Sequence, residues 1–207
     1  MSFGLVVPVK PPRSAKSRLG GLGDPVRQRL AAAFAADTVA AALATPSVSV
    51  VLAVTDDYLL ARELKDLGAE VVPDATTDDL NASLVQAVAE LVRRAPGVRP
   101  AAVCADLPAL RPAELDRALT ATLPHELAFV ADADRVGTTL LSAAGRADFR
   151  PGFGPGSRDV HLDHGAVEIE LDGIDSVRRD VDTPRDLAAA LRLGIGPRTS
   201  SLTAELF

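Results

Sequence analysis

The sequence predicts an α/β fold with a largely parallel central sheet, and three observations lead there. Short, unbroken apolar runs at residues 3–9, 48–54 and 100–105 have the character of strands buried on both faces. Between them lie stretches whose apolar residues recur every three to four positions, as on one face of a helix. Strand, loop and helix alternate four times over residues 3–122, the order that builds parallel sheets through helical crossovers.

The elements follow in order. Residues 3–9 (Phe-Gly-Leu-Val-Val-Pro-Val) form the first strand. Residues 10–24 are too rich in Pro, Gly and Ser to be regular throughout, and Asp24-Pro25 opens a helix with Asp as N-cap. Val26, Leu30 and Phe34 set its apolar stripe, an Ala-rich run carries it to about residue 44, and Thr45-Pro46 stops it. The β-branched run 48–54 is a strand, 57–67 a helix closing on Gly68, and 69–72 a short strand. Leu80, Leu84, Val88 and Leu91 place a helix over 80–94; a strand at 100–105 and a helix at 112–122 follow. Beyond residue 123 the pattern changes to short strands at 127–130, 138–142, 167–171 and 177–181, with a helix at 184–193. The Pro/Gly-rich stretch 150–157 reads as an ordered loop, and 1–193 as a single domain followed by a tail, 194–207, that is a surface segment or short packing arm.

Composition narrows the function. The 207 residues are 47% hydrophobic and only 3% aromatic, so the core is aliphatic and stacking platforms for single-stranded nucleic acid are missing. A net charge of -6 argues against nucleic acid as a partner. The single cysteine, Cys104, excludes a disulfide framework and reads as a buried, inert thiol. No run is long enough to span a membrane and no signal peptide opens the chain, so a cytoplasmic location is expected. The charge is uneven: residues 10–29 hold six basic side chains (Lys10, Arg13, Lys16, Arg18, Arg27, Arg29) against the one acid Asp24. A basic patch on an acidic protein fits a small, highly anionic ligand.

Right-handed crossovers put the loops that follow the strands along one sheet edge, where ligands of open α/β sheets bind. The loop after the first strand carries Lys10, Lys16 and Arg18 with Gly20, Gly21 and Gly23, suited to phosphates, but has neither the P-loop nor the dinucleotide spacing. Asp106 directly follows the buried strand at 100–105, where a carboxylate either holds Mg²⁺ beside phosphate oxygens or caps the next turn. Asp180 and Asp182 alternate to one side of a strand end and so reach one cation, although Asp182 or Thr183 also suits a helix N-cap. Together these groups, without a nucleophile–base pair, point to metal-assisted phosphoryl or nucleotidyl transfer. His161 and His164, three apart on a predicted helix, read as structural or anion-contacting residues, and Asn81 as a helix cap or ligand contact.

These motifs carry a resemblance. Val-Pro-Val-Lys10, Ala-Lys16-Ser-Arg18-Leu, Leu80-Asn81-Ala-Ser, Asp106-Leu-Pro108, Gly137-Thr-Thr139-Leu, Phe153-Gly154-Pro-Gly-Ser157 with His161, and Asp180-Val-Asp182-Thr-Pro resemble, in order over residues 5–187, the 2-phospholactate/phosphoenolpyruvate guanylyltransferase family of coenzyme F420 biosynthesis. The resemblance implies a three-layer α/β/α sandwich of the glycosyltransferase-A-like nucleotidyltransferase type. It implies transfer of GMP from GTP to phosphoenolpyruvate, giving enolpyruvyl-diphospho-guanosine and pyrophosphate. The alternatives are 2-phospholactate or a sugar phosphate as acceptor, or a non-catalytic GTP sensor. By resemblance Lys10, Lys16 and Arg18 hold the triphosphate, Asn81 lies near the nucleotide, and Asp106, Asp180 and Asp182 hold Mg²⁺. Thr139, Gly154 and Ser157 match the acceptor-binding positions. A downstream transferase of the same pathway and a second copy of the chain are the further candidate partners. Two departures stand out: Lys10-Pro11-Pro12 replaces the Gly-Gly opening of related nucleotidyltransferases, and Asp79 stands where Gly is expected.

Overall fold

The computed structural model describes residues 2–9, 23–74 and 79–206. Chain order runs β1 (Phe3–Pro8), α1 (Asp24–Leu43), β2 (Val48–Val54), α2 (Tyr58–Asp66), β3 (Glu70–Val72), α3 (Leu80–Arg94), β4 (Arg99–Val103) and α4 (Pro112–Thr122). It continues through β5 (Leu127–Ala131), β6 (Thr138–Ala143), a 3-10 turn (Arg146–Asp148), α5 (Ser157–Asp163), β7 (Val167–Glu168), α6 (Asp175–Arg178), α7 (Pro184–Leu193) and α8 (Pro197–Leu206). The seven strands described lie in the order β3-β2-β1-β4-β6-β5-β7. Neighbours β3, β2, β1 and β4 pair in parallel, as do β5 and β7, while β6 runs antiparallel between β4 and β5.

Alternation along each strand divides the core into two sheets of side chains. Leu5 and Val7 face one layer, with Ala36 and Val39 of α1, Leu64 of α2 and Leu115 and Leu119 of α4. Val6 and Leu141 face the other, with Leu84, Val88 and Leu91 of α3. Helices therefore cover both faces, which is the expected three-layer α/β/α sandwich. The parallel strands β1 and β4 are buried along their length, the physical reason for their unbroken apolar runs. Among the described residues no helix is long and apolar enough to cross a membrane.

Three local expectations are corrected. Residues 177–181 are not a strand: Asp175–Arg178 turns as α6, and Ile174 and Val177, three apart, both enter the core. The Arg178 guanidinium donates to the carbonyls of Ala131 (3.0 Å) and Ile169 (2.8 Å), so a side chain satisfies backbone groups there. The N-cap of α1 is Gly23; Asp24 falls inside the first turn, where it still complements the helix dipole and pairs with Arg27. Cys104 is half-buried, its thiol 3.3 Å from the Thr138 carbonyl on the wall of a cavity.

Residues 197–206, read as part of the tail, form α8 against α1 and α7 through Leu202, Phe34 and Leu187. The buried carboxylate of Asp37, on α1, accepts from the backbone N–H groups of Arg198 (3.1 Å) and Thr199 (2.8 Å), so one helix caps the start of another. Gly196 has no room for a side chain because Asp37 fills the place, and its N–H donates to Pro108 O at 2.7 Å.

Candidate active site

A cavity of about 660 Å³ opens at the edge where β1 and β4 end. Pro8 and Val9 at the end of β1, and residues 102–106 from the end of β4 into the loop that follows it, form its floor. Because β6 runs antiparallel, its first residue, Thr138, arrives at the same edge with the turn that carries Asp132. Phe153, Gly154, Gly156 and Ser157 form the opposite wall, and Asp180 and Asp182 complete the rim.

Asp106 lies on the floor as expected for an acid just past a buried strand. Its loop is held from below: the fully buried Thr38 hydroxyl, on α1, lies 3.1 Å from Ala105 O and accepts from Leu107 N at 3.1 Å. The same hydroxyl is 2.8 Å from Phe34 O within its own helix. Asp180 and Asp182 reach the cavity by a route other than strand alternation. Val181 donates its N–H to Asp106 O at 3.0 Å, which lays the segment beside the loop. Thr183 caps α7 in a reciprocal capping box with Asp186, so the cap role falls to Thr183 and not to Asp182. Among the described residues no three His, Cys, Asp or Glu side chains gather closely enough to hold a metal by themselves.

The opposite wall is built around His161, which is fully buried. Its Nε2 accepts from the backbone N–H of Gly152 at 2.9 Å, and its Nδ1 lies 2.8 Å from the Thr138 hydroxyl. The ring packs between Phe129 and Phe153, with centroids 5.6 and 5.2 Å away. Burial, aided by nearby His164, pushes the His161 pKa down to about 4, so the imidazole is neutral at pH 7. Gly152 admits no Cβ, since Val160 Cγ1 would stand 2.5 Å from it. This fixes the loop against α5.

Asn81 clasps the same loop from α3. Its Oδ1 accepts from Phe153 N at 2.8 Å and its Nδ2 donates to Phe153 O at 3.0 Å. The helix cap is Asp79, whose carboxylate accepts from the N–H groups of Asn81 and Ala82. Gly154 and Ser157 both line the cavity, whereas Thr139 is fully buried with its hydroxyl 3.5 Å from Val130 O, and its neighbour Thr138 lines the cavity instead. Lys10, Lys16 and Arg18 lie outside the described residues.

Sequence reasoning missed three residues: Thr38, Thr138 and Asp132. Asp132 follows β5 much as Asp106 follows β4, and that position was the available signal. Its carboxylate accepts from Val136 N (2.9 Å) and Gly137 N (2.8 Å), closing the turn into β6. Arg135 in that turn pairs with Glu168 (2.9 Å) and Glu170 (2.5 Å), and Arg158 of α5 with Glu168 at 2.8 Å. These contacts tie the turn to α5 and the edge of the sheet. Chemically, the cavity offers carboxylate oxygens together with glycine backbone and hydroxyls, a set suited to a cation-bound polyphosphate and a second, small anion.

A solved 4-diphosphocytidyl-2C-methyl-D-erythritol synthase has the same fold, with a TM-score of 0.61 at 14% identity, covering 93% of this chain and 99% of that one. A phosphoenolpyruvate guanylyltransferase of Thermomonospora curvata is 52% identical over 206 residues, 100% of this chain and 90% of the relative. One from Streptomyces scabiei is 55% identical over 215 residues, 100% of this chain and 98% of its own. The family model described as "Guanylyl transferase CofC like" matches residues 3–202, so the chain belongs to that guanylyl transferase family.

Proposed function

We propose that the protein transfers the guanylyl group of GTP to the phosphate of phosphoenolpyruvate, in coenzyme F420 biosynthesis. The observation that carries this reading is the cavity itself, which Asp106, Asp180 and Asp182 line together with Gly154 and Ser157. The named relatives support the choice of nucleotide and acceptor. A phosphate oxygen of phosphoenolpyruvate forms the new bond to the α-phosphorus of GTP. The α–β phosphoanhydride bond breaks, its electron pair leaves on pyrophosphate, and the product is enolpyruvyl-diphospho-guanosine. The attacking phosphate is already anionic, so no general base is required.

The donors fit Mg²⁺. They are carboxylate oxygens only, and a site short of a full protein cage is what a cation bound partly by substrate phosphates needs. When bound, Mg²⁺ neutralises charge on the phosphates during transfer. Asp106, seated by Thr38, and the Asp180/Asp182 segment, seated by Val181, hold the carboxylates in register. The resemblance gives Lys10, Lys16 and Arg18 to the triphosphate, where fixed positive charge stabilises the departing pyrophosphate. Gly154 and Ser157 bind the acceptor, and Asn81 fixes their loop through Phe153.

The test is pyrophosphate release by purified protein with Mg²⁺, across nucleotides and with phosphoenolpyruvate, 2-phospholactate and a sugar phosphate as acceptors. A downstream transferase is included to trap a labile product. Release that requires GTP and phosphoenolpyruvate is expected. Silence across the matrix refutes the reading. Asp106→Asn should abolish turnover while GTP still binds, and full activity in that variant removes Asp106 from the metal site.

A further inference from the structure

We infer that Arg178 is a positioning residue for the reaction: its side chain and its carbonyl join the end of β5, where Asp132 meets the cavity, to the segment that carries Asp180 and Asp182. The kinetic part of this inference rests on the guanylyltransfer reading; the positioning itself does not. Arg178 is the last residue of α6. Its Nη1 donates to Ala131 O at 3.0 Å and its Nη2 to Ile169 O at 2.8 Å, so one guanidinium closes off the ends of the parallel neighbours β5 and β7. The register of β5 on β6 shifts between Val130 and Ala131, the point where the guanidinium takes up the Ala131 carbonyl. The carbonyl of Arg178 itself serves both sides. Ala133 N, one residue past Asp132, donates to it at 2.9 Å, and Asp180 N donates to it at 3.3 Å. Next along the chain, Val181 N donates to Asp106 O at 3.0 Å. A single residue thus stands between the Asp132 turn and the run Asp180, Val181 and Asp106.

The position suits arginine for a geometric reason. Ala131 O and Ile169 O belong to different stretches of chain, and a planar guanidinium offers a separate N–H group to each. A lysine ammonium is a point donor on a flexible stem and does not fix two carbonyls at once. Burial lowers the pKa of this guanidinium, with Glu168 opposing the shift, so the charge is drawn partly out of water to hold backbone groups. The rest of the segment is anchored separately. Ser176 N donates to Glu114 at 2.8 Å, Arg111 N donates to Ser176 Oγ at 3.1 Å, and Arg117 donates to Asp172 O (2.8 Å) and Gly173 O (3.1 Å). Those bonds fasten the segment to α4 and its N-cap whether or not Arg178 is present. What Arg178 adds is the register of the segment with the cavity.

The experiment compares Arg178→Met and Arg178→Lys with Arg117→Met, which loses a similar two-carbonyl fork at the other end of the segment. Amide hydrogen exchange reads the positioning without turnover. Ala133 and Val181 should exchange about 10- to 100-fold faster in Arg178→Met, and at the wild-type rate in Arg117→Met. Pyrophosphate release reads the consequence. The Mg²⁺ concentration for half-maximal rate should rise about 10-fold in Arg178→Met, less in Arg178→Lys, and not at all in Arg117→Met. Wild-type exchange at Ala133 and Val181 in Arg178→Met overturns the inference, and so does an equal effect of Arg117→Met. Faster exchange with an unchanged Mg²⁺ requirement also overturns it, because the contact is then structural only. If Arg178→Met does not fold, Arg178→Lys decides by the same two readings. Wild-type protein that releases no pyrophosphate overturns the guanylyltransfer reading instead, and hydrogen exchange then still judges the positioning.

Discussion

Replacing Thr38 with valine tests whether the Asp106 loop is held from α1. The two side chains have nearly the same shape, so the change opens no cavity and removes only the hydroxyl. Thr38 is fully buried, and so is Leu107, whose N–H donates to that hydroxyl at 3.1 Å. In Thr38→Val this N–H loses its acceptor where water does not reach, at a cost of about 1–3 kcal/mol. For a chain of this length, about 2 kcal/mol corresponds to a melting temperature lower by roughly 4–8 °C. The loss also frees the backbone on both sides of Asp106, since Ala105 O lies 3.1 Å from the same hydroxyl. Displacement of a reacting-site group by even ~1 Å can lower the rate about 100-fold, so the Mg²⁺ concentration for half-maximal pyrophosphate release should rise with the loss of stability. Urea unfolding and a Mg²⁺ titration of activity read the two effects, and Thr38→Ser should reverse both. A valine variant within about 0.5 kcal/mol of wild type, the spread of neutral substitutions, and with the same Mg²⁺ requirement would refute the reasoning.

Two further outcomes are expected. Asp37→Ala leaves the first N–H groups of α8 without their carboxylate and should lower unfolding stability by about 3 kcal/mol in urea titrations, because one buried and one half-buried donor lose a charged partner. His161 makes stability depend on pH: its folded pKa of about 4 lies below the ordinary histidine value of 6.5. The unfolded chain thus binds the proton more readily, so the contribution is complete above pH 6.5 and is lost as pH falls through 4. The full loss is about 3 kcal/mol, and the difference between wild type and His161→Phe in unfolding free energy at pH 7.5 and 4.5 measures it.

What the sequence disclosed was set by how local the physics is. The parallel strands were legible because burial on both faces leaves an unbroken apolar run, and Asp106 because it ends one of them. Asp180 and Asp182 were placed at the cavity for a reason the structure replaces: a backbone hydrogen bond from Val181 to Asp106, 75 positions away, brings them there, and alternation along a strand does not. The helix at Pro197–Leu206 escaped notice because its Ser- and Thr-rich sequence has a weak apolar stripe and its cap comes from Asp37 on another helix. Thr38 reads locally as one more polar residue in an Ala-rich helix. Its role exists only once β4 ends above it. Thr138 and Thr139 are indistinguishable in the motif, and only the fold says which one meets the cavity.

The reversed direction of β6 has a consequence for how such a protein can change. The cavity-lining residues from the turn at Asp132 to Ser157, with His161 behind them, belong to one continuous stretch of chain entering through that strand. The carboxylates of the other wall come from β4 and from beyond α6, outside that stretch. If the proposed assignment of this stretch to the acceptor holds, exchanging it alone should change acceptor preference while the carboxylates stay in place. The Asn81 clasp on Phe153 is the seam. A graft of residues 132–161 that keeps a matching partner for Asn81 should carry its own choice of small anion with it.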